Sequence, residues 1–179
     1  MSSSHKKVIV RRFTGDTLPG YLPLSAFVRN KSIDLLDLAG RVISLPLSDI
    51  KHICYVRDFN LNDPANPERL TRRTFLARPR TEGLWLRLTF RSGDLLEGLA
   101  PTDAALLDDL IADTGLQLTP PDTRSNTQRI FVPRTAITEL QLIAVITSPS
   151  RRKPLPAASV LSLQEDLFKI DLPPNTRPN

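Results

Sequence analysis

Apolar residues along this chain recur mainly at every second position in short runs, the period of a strand with one buried face. Leu86 and Leu88, Ile33 and Leu35, and Leu116 and Leu118 each stand a single polar residue apart, and Val8 and Val10 repeat the spacing. Gly, Pro, Asn and Asp punctuate these runs, so the pattern predicts many short strands joined by tight connections. One window departs from it. Leu106, Leu107, Leu110 and Ile111 have helical spacing, which predicts a short helix over 102–113 with Thr102 as its cap and Gly115 just beyond its end.

The alternation occurs twice. Aligning Val8–Pro23 with Leu86–Pro101 gives five identities in sixteen positions: Gly15 with Gly93, Asp16 with Asp94, Leu18 with Leu96, Gly20 with Gly98 and Pro23 with Pro101. Each block reads as strand, turn, strand. Gly15 and Gly93 supply the positive φ of a tight hairpin, beside an Asp that can bond the turn backbone. Gly20 and Gly98 fall inside the second strand, where Gly marks a sharp bend or bulge. Further on, Ile33 and Leu35 match Leu116 and Leu118, and Ile43-Ser44-Leu45-Pro46 matches Ile130-Phe131-Val132-Pro133. Ile50, Ile53 and Tyr55 match Ile137, Leu140 and Leu142. Each copy offers five strands, the fourth ending at a Pro that cannot donate to a ladder, followed by one helical turn.

The stretch Leu86–Gly98 resembles the first signature of Sm-like proteins, the family that includes the bacterial RNA chaperone Hfq. Arg129–Ile137 is similar in layout to the second signature. The resemblance implies a mainly β fold of two tandem five-stranded Sm-like or SH3-like barrels, at 7–57 and 83–146, the second with an inserted helix. It does not carry over the uridine site: the Lys-His pair of that site is replaced by Val132-Pro133-Arg134 and Leu45-Pro46-Leu47. The tandem also resembles bacterial proteins with no established activity.

Outside the barrels, residues 1–6 read as a disordered N-terminus and 58–82 as an Arg-rich connection. Within it, Asn60–Pro67 is loop-like and Leu70–Arg80 either adds a strand or crosses a barrel. Residues 147–179 are dominated by Pro, Ser, Arg and Lys and read as a disordered tail.

The net charge of the 179-residue chain is +5, enough for attraction to nucleic acid and also a common device for solubility. The excess concentrates between Arg57 and Arg91, which hold eight Arg against four acids. Arg72, Arg73, Arg78 and Arg80, with Phe75 and Trp85, are the residues that would track phosphates and stack bases. The plainer reading keeps the aromatics in the core and the Arg as solvated edges. Cys54 lies in an apolar run and reads as a buried small hydrophobe. With no membrane-length apolar segment and no secretory-signal pattern, a cytoplasmic location is expected.

Parts for an enzyme are lacking. His52 on a predicted strand reads as solvent-facing or structural, and Asp108 and Asp109 as a solvated helix face. No cofactor or metal set is legible, so a non-enzymatic binding or adaptor protein is expected. Its alternative is an RNA-binding or single-stranded-DNA-binding protein using the Arg-rich connection. In the tail, Gln164-Glu165-Asp166-Leu167-Phe168 resembles the peptides that bind the bacterial sliding clamp. That resemblance implies a polar contact for Gln164, a match to the Ser-or-Asp position for Asp166, and an apolar pocket for Leu167 and Phe168. The plainer reading is an amphipathic segment docking back on a barrel.

Overall fold

A computed structural model describes residues 5–60, 72–122 and 124–147. Its first half contains β1 (Lys6–Arg12), β2 (Thr17–Leu22), β3 (Val28–Arg29), β4 (Ser32–Asp37), β5 (Val42–Pro46) and β6 (Ile50–Val56). Its second half contains β7 (Gly83–Phe90), β8 (Leu95–Ala100), α1 (Ala104–Ala112), β9 (Gly115–Leu118), β10 (Thr127–Pro133) and β11 (Ile137–Ile146). A 3-10 turn, Leu47–Asp49 or Arg134–Ala136, follows the Pro that ends β5 or β10. The chain is mainly β, as its alternation predicts.

Both halves are threaded in the same order. In the first, β5 pairs β4, β4 pairs β2, β2 pairs β1 and β1 pairs β6. In the second, β10 pairs β9, a single bridge between Thr119 and Leu99 links toward β8, β8 pairs β7 and β7 pairs β11. Their backbone bonds recur at matched positions. Arg12 N–H donates to Asp16 O at 3.0 Å and Phe90 N–H to Asp94 O at 2.8 Å. Phe13 N–H reaches Asp49 O, Arg91 N–H reaches Ala136 O, and both distances are 3.0 Å. Leu47 N–H reaches Lys31 O, Arg134 N–H reaches Thr114 O, and both distances are 2.9 Å. Gly15 and Gly93 have φ of +95° and +83°, the conformation the hairpins demand.

Two closed barrels are not what the strands build. Closure would need β5 to bond β6 and β10 to bond β11. Instead β6 gives its outer edge to β10 of the other half, with Tyr55 opposite Arg129, Cys54 opposite Ile130 and Ile53 opposite Phe131. The result is one eight-stranded sheet crossing both halves and a three-stranded sheet β11-β7-β8. Asn126 fastens the end of this seam, donating from Nδ2 to Asp58 O at 2.7 Å and accepting Asp58 N–H at 3.0 Å.

The shared sheet is buried on both faces. Because side chains alternate along a strand, Val8, Val10, Ile53, Tyr55 and Phe131 enter one apolar cluster with Leu22, Ile33 and Leu35. Ile9, Cys54, Val56, Ile130 and Val132 enter the other, with Leu86, Leu88 and Leu118. This two-sided burial is why β6 carries the unbroken run Ile53-Cys54-Tyr55-Val56. It also buries His52, whose ring lies 6.0 Å from that of Phe90; the solvent-facing option for His52 does not hold.

Several local expectations change. The helix starts at Ala104, two residues after the expected cap Thr102, and ends where Asp113 turns left-handed at φ +49°. Gly115 is therefore not its stop. It opens β9, where an added Cβ would lie 2.4 Å from Val132 O and 2.7 Å from Phe131 Cζ. Leu106 packs on the core, but Leu107 and Ile111 face solvent. Gly20 and Gly98 serve close approach rather than an unusual φ: a Cβ on Gly20 would meet Leu36 O at 2.5 Å, and one on Gly98 would meet Leu118 Cβ at 2.9 Å. Lys6, assigned to the N-terminal tail, already belongs to β1. The expectations for residues 1–4, for most of the loop 60–67 and for the tail from 148 lie outside the described residues. Among the described residues, no helix is long and apolar enough to cross a membrane.

Candidate functional site: the Arg-bearing connection pinned by Glu97

β7 and β8 are joined by a hairpin whose turn sets Arg87 directly opposite Glu97. Leu86, Leu88 and Leu96 point inward to the core, so Arg87, Glu97 and Trp85 occupy the outer face of the three-stranded sheet. Glu97 is nonetheless 2% exposed. The described end of the Arg-rich connection, residues 72–82, crosses over it, with Glu97 N–H donating to Arg73 O at 2.7 Å. It crosses as a series of bends, without adding a strand.

Four donors converge on the Glu97 carboxylate. Phe75 N–H and Trp85 Nε1 donate to Oε2 at 2.8 and 3.2 Å, and Arg87 donates to Oε1 from Nε at 3.0 Å and from Nη2 at 2.7 Å. Burial alone would raise the Glu97 pKa. The Phe75 amide, Arg87 and Trp85 outweigh it and hold the carboxyl below the usual glutamate range. One buried anion thus ties a loop amide, an indole and a guanidinium into a fixed frame.

Above that frame the side chains divide. Arg72, Arg78 and Arg80 are exposed, as is Leu76 at 79%, and among the described residues none of these three Arg has an acidic partner. Arg73 is different. It is half-buried, with Nη1 enclosed, and its charge is the last of several influences that lower the Asp94 pKa, behind the bonds from Lys51 and Ser92. Phe75 and Trp85 stack edge to face at 5.5 Å and 71°. With both rings half-buried and the indole N–H spent on Glu97, they act as the floor of the loop rather than as free stacking platforms.

Glu97 is the residue that the sequence reading overlooks. Its signal is a carboxylate inside the otherwise apolar strand Leu95-Leu96-Glu97-Gly98-Leu99-Ala100, at the position where the matched strand has Pro19. The hairpin register alone would have set it opposite Arg87.

Elsewhere, Asp109 is not part of a solvated helix face. It is half-buried, and burial raises its pKa above the usual aspartate range against the lowering effect of the Gln117 N–H. It lines a recess of about 210 Å3 with Asp113, Leu116, Arg134, Ile137 and Leu140. Asp108 remains exposed. The segment Gln164–Phe168, including Asp166 and Leu167, lies outside the described residues. Comparisons with curated proteins and with solved structures each found no match. The sequence profile of a family of unknown function (DUF6982) does match, over residues 4–144, and the chain belongs to that family.

Proposed function

We propose that this chain is a non-enzymatic binding protein that contacts a single-stranded nucleic acid through Arg72, Arg78 and Arg80. The observation that carries this reading is the Glu97 frame. Three guanidiniums on an unsupported loop would each have to be ordered on binding, whereas a loop bonded to a buried carboxylate is ordered beforehand. Guanidiniums without acidic partners suit phosphate oxygens, which they can grip with two parallel bonds. The contact is read as one to the backbone, with little selectivity among bases, since Phe75 and Trp85 are occupied with each other.

The body presenting this loop is read as a tandem of two Sm-like five-stranded units that open between their fourth and fifth strands. The matched strand order, turn glycines and backbone bonds support it. Cys54 is buried and is the single cysteine of the sequence, so no disulfide within the chain depends on oxidation, which suits a reducing compartment such as the cytoplasm. The test is binding of labelled single-stranded RNA and DNA across a salt series. Phosphate contacts make affinity fall steeply with salt, and replacing Arg72, Arg78 and Arg80 by Ala should flatten the slope by about two.

A second reading keeps the adaptor role for the tail, on the match of Gln164-Glu165-Asp166-Leu167-Phe168 to sliding-clamp peptides. A peptide spanning Ser159–Pro174 should bind purified clamp saturably and lose that binding when Leu167 and Phe168 become Ala. No saturable binding would remove this reading.

A further inference from the structure

Strand β6 and its matched strand β11 meet different surroundings. Ile53 and Tyr55 are 0% and 3% exposed, whereas Leu140 and Leu142, at the matched positions, are 49% and 53% exposed. All four face the cores of their own halves, because Ile53 and Tyr55 stand opposite Val10 and Val8 just as Leu140 and Leu142 stand opposite Leu88 and Leu86. The difference is β10. It covers the outer edge of β6 and adds Phe131 to the cluster of Ile33, Leu47, Ile50 and Ile53. The positions matching those four are Leu116, Arg134, Ile137 and Leu140, and they line the open recess beside β11.

The matched partner edge is also uncovered. Among the described residues, β5 pairs only with β4 and β11 only with β7. Val42 on β5 is 68% exposed, and Val145 on β11 is 53% exposed. Neither strand carries the charges that often defend a solvent-facing edge: β5 has no charged residue and the ten-residue β11 has one, Glu139.

We propose that β5 of one copy of this chain pairs antiparallel with β11 of a second copy, repeating between molecules the join that β10 makes with β6 within one. The occupant is a second copy because the chain already contains both sides of the join. The internal ladder transfers residue by residue, giving Val42 opposite Leu142, Ile43 opposite Gln141 and Ser44 opposite Leu140. Ser44 replaces Phe131 as the side chain aimed at the recess, whose Asp109 and Arg134 suit a hydroxyl better than a ring. A join between two different edges leaves one of each unused, so assembly runs on until a ring closes or a filament grows.

Light scattering on the full-length chain over a range of concentrations tests this, together with Val42→Cys and Leu142→Cys made singly and together. The expected result is a mass at least double that of one chain. Oxidation should link chains when both cysteines are present and leave them unlinked with either alone. Val42→Lys or Leu142→Lys should return the mass to that of one chain, with the circular dichroism spectrum unchanged. A single-chain mass at every concentration overturns the proposal, as does an oligomer indifferent to both lysine substitutions.

Discussion

Phe131 of β10 stands directly opposite Ile53 of β6 and buries its ring in the apolar cluster of the first half, while its neighbours Ile130 and Val132 serve the second. The ring meets Phe27 edge to face at 4.9 Å. Phe131→Ala should therefore destabilise the protein by about 3–5 kcal/mol, and by weakening the seam it should lower the midpoint of both halves in one denaturant transition. Ser44→Ala, at the matched but exposed position, should stay within about 0.5 kcal/mol. Two separate transitions, with only one moved by Phe131→Ala, would show that the seam does not couple the halves.

Glycines fall into two classes that thermal melts can separate. Gly98→Ala places a methyl group against Leu118 Cβ, 2.9 Å away, and Gly20→Ala places one 2.5 Å from Leu36 O. Both should lower the melting midpoint, Gly20→Ala by more because a backbone oxygen yields less than a side chain. Gly93 has open space around it but a φ of +83°, so Gly93→Ala should cost about 1–2 kcal/mol from backbone strain alone. Asn at that position should recover part of the loss, since Asn tolerates the left-handed region. Equal losses for Ala and Asn at Gly93 would argue against the conformational explanation.

Glu97 gives the fold an acid limb. Its folded-state pKa lies below the ordinary value, so its stabilisation is complete above the unfolded pKa of about 4.3. As pH falls through the lower folded-state value, that contribution is lost. Glu97→Gln should remove roughly 2–3 kcal/mol at neutral pH and flatten the decline of stability between neutral and acid pH. A variant that keeps the wild-type decline would assign that limb to other carboxylates, such as Asp94 or Asp58, whose pKa values are also lowered by lysine partners.

Tyr55 works in the opposite direction. Burial pushes its pKa above the ordinary tyrosine range, and its hydroxyl donates to Pro23 O at 2.8 Å. The stabilisation is present below an unfolded pKa of about 10 and is lost as pH rises beyond it. Tyr55→Phe should cost about 0.5–1.5 kcal/mol at neutral pH and reduce the alkaline loss. An unchanged alkaline limb would contradict this assignment.

What the sequence made legible were features set by local chemistry. Alternation located β4 and β9, the turn glycines set both hairpins, and Pro46 and Pro133 marked the ends of β5 and β10. The partner of an outer edge was not legible, because any strand with free N–H and C=O groups can accept any other. Two separate barrels were therefore as consistent with the pattern as one seam. The run Ile53-Cys54-Tyr55-Val56, apolar on both faces where β11 has Leu140-Gln141-Leu142, was the trace of that seam. For the candidate site, the Arg cluster was visible as charge density. The carboxylate that fixes it was only half legible: β7, its hairpin partner, supplies Trp85 and Arg87, but the Phe75 N–H comes from a loop whose path over β8 no local pattern gives.

Trp85 is the sole tryptophan and lies under the Arg-bearing connection, its N–H bonded to Glu97. Its fluorescence therefore reports directly on binding at the proposed site. Titrating the full-length protein with single-stranded RNA at low salt should give a saturable change in Trp85 emission that weakens steeply as salt rises. The Arg72, Arg78 and Arg80 triple-alanine variant should lose it while keeping the emission of the unbound protein. No change in Trp85 emission at low salt, or an undiminished change in the triple variant, would contradict the account.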